Sequence, residues 1–174
     1  MHFEPSPGDA VFRAEVRQFI RDHLPGEIAR RSYICSQPPD IVDYRRWQRI
    51  LHDRGWGAPH WPVEHGGTGW TAMQQHLFME EVYRADAIDY GWQGTHMIGP
   101  VLIAFGSEAQ KRRFLPPMLR GEEIWCQGFS EPNAGSDAAA QKTIATVDGD
   151  MFELNGTKNC ITNAPVADVV ILYA

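Results

Sequence analysis

The sequence predicts an α+β protein, with an all-helical first part followed by the opening strands of an incomplete β-barrel. Two observations predict it. Apolar residues recur at three- and four-residue spacing through the first two-thirds of the chain. After Gly121 the pattern changes to short apolar runs divided by Asp-Gly and Asn-Gly turns. The change places a domain boundary so that residues 1–122 are helical and residues 123–174 form the strand-bearing part.

The elements follow in order. Val11, Phe12, Val16, Phe19, Ile20 and Leu24 make one apolar stripe, and Pro25-Gly26 ends that helix. A short helix is expected around Glu27–Arg31. Ile41, Tyr44, Trp47, Ile50 and Leu51 mark a second long helix that stops at Gly55. Gly55–Trp70 holds five glycines and two prolines and reads as a loop. Thr71 with Gln74 forms a capping box for a helix that buries Met73, Leu77, Phe78 and Val82. A further helix is expected over Thr95–Phe105, ending at Gly106. Ser107 with Gln110 repeats the capping box, and that helix should stop near Leu115, before Pro116-Pro117.

Ile124–Ser130 is a strand, and Thr143–Val147 with Met151–Asn155 flank Asp148-Gly149-Asp150 as a hairpin. Lys158–Thr162 and Val169–Tyr173 read as two more strands. The last of these is expected to be an unpaired apolar edge, which implies further chain or a partner to complete the sheet.

Composition narrows the function classes. Hydrophobic residues make up 43% and charged residues 22%, an ordinary globular balance. The net charge of −6 and the absence of a basic run argue against nucleic acid. No apolar stretch approaches the roughly 20 residues of a membrane span, and the N-terminus lacks a signal-peptide pattern. Cys35, Cys126 and Cys160 are odd in number and lack CxxC spacing, so a reducing cytoplasm is expected. No Walker loop, strand-following GxGxxG or HExxH occurs. His60 and His65 share a loop without an acid or Cys at ligand spacing, so no metal site is expected.

The chemistry concentrates in Trp125–Asp137, WCQGFSEPNAGSD. A strand runs into a turn in which Pro132 fixes one backbone angle and Gly135 allows conformations that other residues avoid. Successive amides in such a turn form a concavity suited to an anion, and Ser130 and Ser136 add hydroxyls. Read from composition alone, the segment is a polar β-to-loop turn before it is a ligand site. Glu131 beside Pro132 reads as a carboxylate that holds the loop rather than as a catalytic base.

FSEPNAGSD is similar to the acyl-CoA dehydrogenase signature. Asp148-Gly149-Asp150, Asn155-Gly156-Thr157-Lys158 and Ile161-Thr162-Asn163-Ala164 resemble that family's next motif. Gly55-Trp56-Gly57, Trp61-Pro62, Glu64-His65-Gly66-Gly67 and Gly99-Pro100 through Phe105-Gly106-Ser107 resemble its helical domain. The resemblance covers nearly the whole chain in order. It implies an N-terminal helical domain, a middle β-barrel and a C-terminal four-helix domain that lies outside this sequence.

The resemblance also implies FAD, with Gln127, Phe129, Ser130, Gly135, Ser136, Cys160, Ile161 and Thr162 lining it. Ser130 would sit at the pyrimidine edge, Thr162 at N5, and Ser136 on the acyl-CoA. Position 160 often carries Trp or Phe in relatives, so Cys160 would remove an aromatic wall. Trp56, Trp61 and Trp70 are expected to pack the loop, and His96 and Met97 to pack the core or approach substrate. The implied reaction is α,β-dehydrogenation of an acyl-CoA thioester, by a base outside this segment. The implied partners are acyl-CoA, an electron-transferring flavoprotein and other subunits of a homo-oligomer or heteromer. The competing readings are a non-catalytic subunit and a related flavin oxidase or monooxygenase.

Overall fold

The computed structural model describes residues 6–28, 41–87 and 92–174, and the chain divides into two compact units, Met1–Glu122 and Glu123–Ala174. In the first unit, α1 (Pro7–His23) starts at a capping box in which Ser6 and Asp9 satisfy each other's amides. Phe12, Val16 and Ile20 form its buried face, while Val11, expected in the same stripe, is 71% exposed. Position 11 lies one residue beside that row, about 100° around the helix. The short helix expected at Glu27–Arg31 is helical over 26–28; its remainder and Cys35 lie outside the described residues.

α2 (Ile41–Asp53) buries Tyr44, Trp47 and Leu51. α3 (Ala72–Arg84) starts at the Thr71–Gln74 capping box and buries Leu77, Phe78 and Val82. Between them the Gly55–Trp70 loop carries a 3₁₀ turn, Val63–His65, and supplies core aromatics. The Trp56 ring lies 4.7 Å from Phe19 and 5.3 Å from Trp70, and Phe12 meets Trp70 at 4.9 Å, all edge-on. The loop is therefore part of the core, and edge-on aromatic pairs add to its area burial.

The helix expected over Thr95–Phe105 is two structures. Trp92–Ile98 is a π-helix and α4 (Gly99–Phe105) is an α-helix with Pro100 in its first turn. Pro100 has no N–H to donate back, and its ring would crowd the carbonyl four residues earlier in a regular helix. A widened preceding turn removes that conflict.

α5 (Glu108–Leu119) begins at the Ser107–Gln110 capping box and continues through Pro116 and Pro117 rather than stopping before them. The carbonyls left without prolyl donors belong to exposed Arg112 and Arg113, where water can serve them. Beyond them Leu115, Met118 and Leu119 are buried, which holds the last turn in place. Both proline carbonyls still accept bonds, from the amides of Arg120 and Glu122 at 3.1 and 2.9 Å.

The second unit contains two two-stranded sheets and, among the described residues, no closed barrel. β1 (Trp125–Gly128) pairs with β4 (Val169–Leu172), so the strand expected as an unpaired edge has a partner, and the pairing is parallel. A bracket at its start fixes the register: the Ile124 amide donates to the Asp168 carboxylate and the Asp168 amide to the Ile124 carbonyl, both at 2.8 Å. β2 (Ile144–Asp148) and β3 (Met151–Asn155) form the expected antiparallel hairpin, with Gly149 at φ 61° in its turn. Lys158–Thr162 is not a strand: Cys160 at φ 54° and Asn163 at φ 66° break the extended path.

Trp61 locks the helical unit's loop to the π-helix. Its indole N–H donates to the Thr95 carbonyl at 2.6 Å, and a Cβ on Gly99 would lie 2.2 Å from its ring. Gly99→Ala should therefore cost about 2–3 kcal/mol in a urea titration, because Trp61 is too buried to move aside. A loss below about 0.5 kcal/mol would show that the ring is not held as described.

Candidate functional site

The site is built around the end of β1. Gln127 is the last half-buried side chain on the strand, and Phe129 follows it with its ring 5.7 Å from that of Tyr173. The chain then turns. Glu131 and Ala134 exchange two backbone hydrogen bonds, of 2.8 and 3.1 Å, which close the Pro132-Asn133 turn and use both amides internally. The amides of Gly135 and Ser136 lie beyond that closure and bond to no described residue.

Glu131 fixes this turn to the rest of the unit. Its carboxylate accepts from the Lys142 amide at 2.6 Å, the Thr143 amide at 2.9 Å, the Thr143 hydroxyl at 2.5 Å and Lys158 Nζ at 2.8 Å. The two charged side chains are 7% and 11% exposed. The Lys158 ammonium, then the Thr143 hydroxyl and the neighbouring amides, hold the carboxyl down at about 2. Glu131 is thus a permanently ionised clamp, as the sequence reading of a loop-holding carboxylate expects.

Lys158 also donates to the Phe129 carbonyl at 3.0 Å and to Gln141 at 3.2 Å, and the Asn159 amide donates to the Ser130 carbonyl at 3.0 Å. These bonds seat the 158–162 segment beside Phe129 and Ser130 without a strand ladder. The sequence pattern gives Lys158, Thr143 and Gln141 no role in the site. Nothing in the spacing of Glu131 and Lys158, 27 residues apart, signals their pairing.

The structure therefore brings Phe129 and Ser130 together with the segment that carries Cys160, Ile161 and Thr162. It places Gln127 on the strand leading in, opposite Ile171. Gly135 and Ser136 sit across the turn, and no hydrogen bond joins them to 160–162. Gly135 is not in the left-handed region, and a Cβ there would meet nothing, so the expected conformational need for glycine is not met. Cys160 and Thr162 are exposed, while Ile161 lines an open, largely apolar groove of about 360 Å³ with Cys126, Gly128, Val170 and Leu172.

The donor set fits a flavin. The side chains of Gln127, Ser130, Ser136 and Thr162 make no hydrogen bond to a described residue, and the amides of Gly135 and Ser136 are likewise unspent. Neutral N–H and O–H donors of this kind suit the carbonyl-and-nitrogen edge of a flavin ring.

In the helical unit His60 stacks on His96, with ring centroids 4.2 Å apart. His60 Nε2 donates to the Thr95 carbonyl at 2.9 Å, and the Thr95 hydroxyl lies 3.0 Å from His96 Nδ1. Burial lowers both imidazoles, and the proximity of His60 helps bring His96 down to about 4. Met97 is 40% exposed. Among the described residues no three His, Cys, Asp or Glu side chains gather as metal ligands.

The comparisons agree with this architecture. The helical unit matches the family model "Acyl-CoA dehydrogenase, N-terminal domain" over residues 6–122, and the strand unit matches "Acyl-CoA dehydrogenase, middle domain" over residues 126–174. The chain belongs to the acyl-CoA dehydrogenase family. It is 42% identical over 84% of its length to acyl-CoA dehydrogenase IpdE1 of Mycobacterium tuberculosis, of which it covers 39%. It is 36% identical over 93% of its length to mitochondrial isovaleryl-CoA dehydrogenase of Pongo abelii, of which it covers 38%. Among solved structures, the ChsE4–ChsE5 complex of Mycobacterium tuberculosis superposes with a TM-score of 0.84 at 32% identity, over 99% of this chain and 43% of that one. The chain thus spans about two-fifths of the length of the curated relatives it matches.

Two pH responses follow. Glu131 titrates near 2 when folded and about 4.3 when unfolded, so its contribution is complete above pH 4.3 and fades as the pH falls toward 2. Glu131→Gln should therefore be less stable than wild type at pH 7, with the gap narrowing below about pH 4.3; a gap independent of pH would refute the clamp. His96 behaves oppositely in origin: the unfolded chain takes a proton near pH 6.5, the folded one only near 4. Stability should fall on acidification across that window, and His96→Phe should flatten the fall in denaturant titrations; an equal slope in the variant rejects the assignment.

Proposed function

We propose that this chain is the flavin- and thioester-facing part of an FAD-dependent enzyme that dehydrogenates an acyl-CoA thioester at its α and β carbons. Residues 1–122 serve as its N-terminal helical domain, and residues 123–174 as the first part of its middle domain. The observation that carries the reading is the set of unspent donors around the end of β1, held in place by the Glu131–Lys158 pair.

FAD, when bound, supplies the acceptor for the β-hydride. The residues that would hold it are Gln127, Phe129, Ser130, Gly135, Cys160, Ile161 and Thr162. The Ser130 hydroxyl would donate to the flavin's pyrimidine edge and the Thr162 hydroxyl to its N5 region, where donors would stabilise negative charge. Ser136, exposed beyond the closed turn, binds the acyl-CoA. Glu131 does not abstract the α-proton, because its lone pairs are already taken by Lys142, Thr143 and Lys158; that base lies outside these residues. An electron-transferring flavoprotein is the proposed electron acceptor. Free Cys126 and Cys160 fit the reducing cytoplasm.

A second reading is supported by the likeness to a two-component complex: this chain is one subunit of a heteromer, with its partner carrying the chemistry. Flavin titration of the protein decides between them. The enzyme reading expects stoichiometric yellow FAD that bleaches on adding acyl-CoA, and Ser130→Ala should weaken FAD about tenfold. Absence of bound flavin, with and without a co-expressed partner, would overturn it.

A further inference from the structure

Outside the flavin site, we infer that a small cavity in the helical unit is a binding site for an ordered water molecule, held by Trp47 and Gln48. The cavity has a volume of about 30 Å³. Trp47 and Gln48 line it from α2, Thr95 and His96 from the π-helix, and Phe78 and Val82 from α3.

The two α2 residues carry unspent groups of opposite sense. Trp47 is 1% exposed, and its indole N–H donates to no described residue. An indole N–H can only donate, and one shut away from water without an acceptor is costly. Gln48 is 6% exposed. Its Nε2 spends both hydrogens, on the Gly57 carbonyl at 2.8 Å and the Leu119 carbonyl at 2.9 Å. Those two bonds settle which end of the amide is the oxygen, and Oε1 makes no hydrogen bond to a described residue. The pair therefore calls for one molecule that accepts from Trp47 and donates to Gln48.

Size and chemistry select the occupant. A water needs roughly 10–15 Å³ of such space, so water fits and an organic ligand does not. An ammonium ion is of similar size but only donates, so it cannot serve Trp47. Cavities that stay dry are walled by apolar groups, whereas here polar side chains enter from both α2 and the π-helix. With the water on Oε1, Gln48 uses both ends of its amide. The joint it makes between α2, the Gly55–Trp70 loop and the end of α5 then has a single orientation.

The test is a pair of water-selective NMR measurements, NOE and rotating-frame, on the indole N–H signals of the whole chain. A water held for longer than the protein takes to tumble gives Trp47 Nε1–H a cross-peak whose sign differs between the two. Trp61 is the internal control: it is 3% exposed but donates directly to the Thr95 carbonyl, so it should show no water cross-peak. Thr95→Val removes a hydroxyl whose own exchange with solvent produces a similar signal, and the Trp47 cross-peak should survive that change. No water cross-peak at Trp47, or equal ones at Trp47 and Trp61, would overturn the site. Loss of the Trp47 cross-peak in a Thr95→Val protein whose other amide signals are unchanged would assign it to the hydroxyl and overturn the water. The measurement reads neither flavin nor thioester, so this inference and the proposed enzyme activity fail separately.

Discussion

The strand-bearing unit depends on one part-buried ion pair, Glu131–Lys158. Charges shielded from water are costly unless their remaining lone pairs and protons are satisfied. Here they are. Glu131 is met by the amides of Lys142 and Thr143 and by the Thr143 hydroxyl, and Lys158 by Glu131, Gln141 and the Phe129 carbonyl. A pair so thoroughly bonded has one low-energy arrangement. Its effect is therefore positional: it ties the turn after β1, the root of the β2–β3 hairpin and the 158–162 segment to a single point. Remove either charge and the other keeps only neutral partners, so the three segments lose the charged contact at their common anchor.

The helical unit solves a similar problem with neutral groups. The Thr95 carbonyl sits in the π-helix and accepts from both Trp61 and His60. A π-turn leaves carbonyls less tightly matched to their own helix, and this one is served by the loop instead. That arrangement closes Gly55–Trp70 over the core and draws Trp56 and Trp70 into the aromatic cluster. The same closure forces His60 against His96, which is tolerable because both rings stay neutral at pH 7.

Local physics was legible in the sequence, and long-range physics was not. The Thr71–Gln74 and Ser107–Gln110 boxes and the Asp148–Asp150 turn each involve residues within four positions, so spacing alone specifies them. The stop expected at Pro116-Pro117 failed because burial of Met118 and Leu119 outweighs two missing amide donors on an exposed face. Val169–Leu172 was recognisable as a strand, but its parallel pairing with β1 joins residues 44 apart at the Ile124–Asp168 bracket. Lys158–Thr162 has the composition of a strand, yet the demand of the Lys158 ammonium for Glu131 and the Phe129 carbonyl overrides it. Residue types at the site could be named in advance; the ion pair that holds them could not, since nothing in the spacing of Glu131 and Lys158 marks them as neighbours.

That ion pair also decides which chemistry this part of the molecule can perform. A general base must accept a proton near the working pH and must reach its substrate with a free lone pair. The most conspicuous carboxylate of the signature meets neither condition, being held at about 2 with its oxygens committed to backbone, hydroxyl and ammonium donors. What remains unspent around it is a set of donors: hydroxyls at half-buried Ser130 and exposed Ser136 and Thr162, and amides at Gly135 and Ser136. Donors stabilise negative charge but remove no proton. The division of labour is thus set by Glu131 itself: in spending its own basicity to fix the turn, it leaves this segment donors only, and under the proposed dehydrogenation the α-proton would be taken by another group.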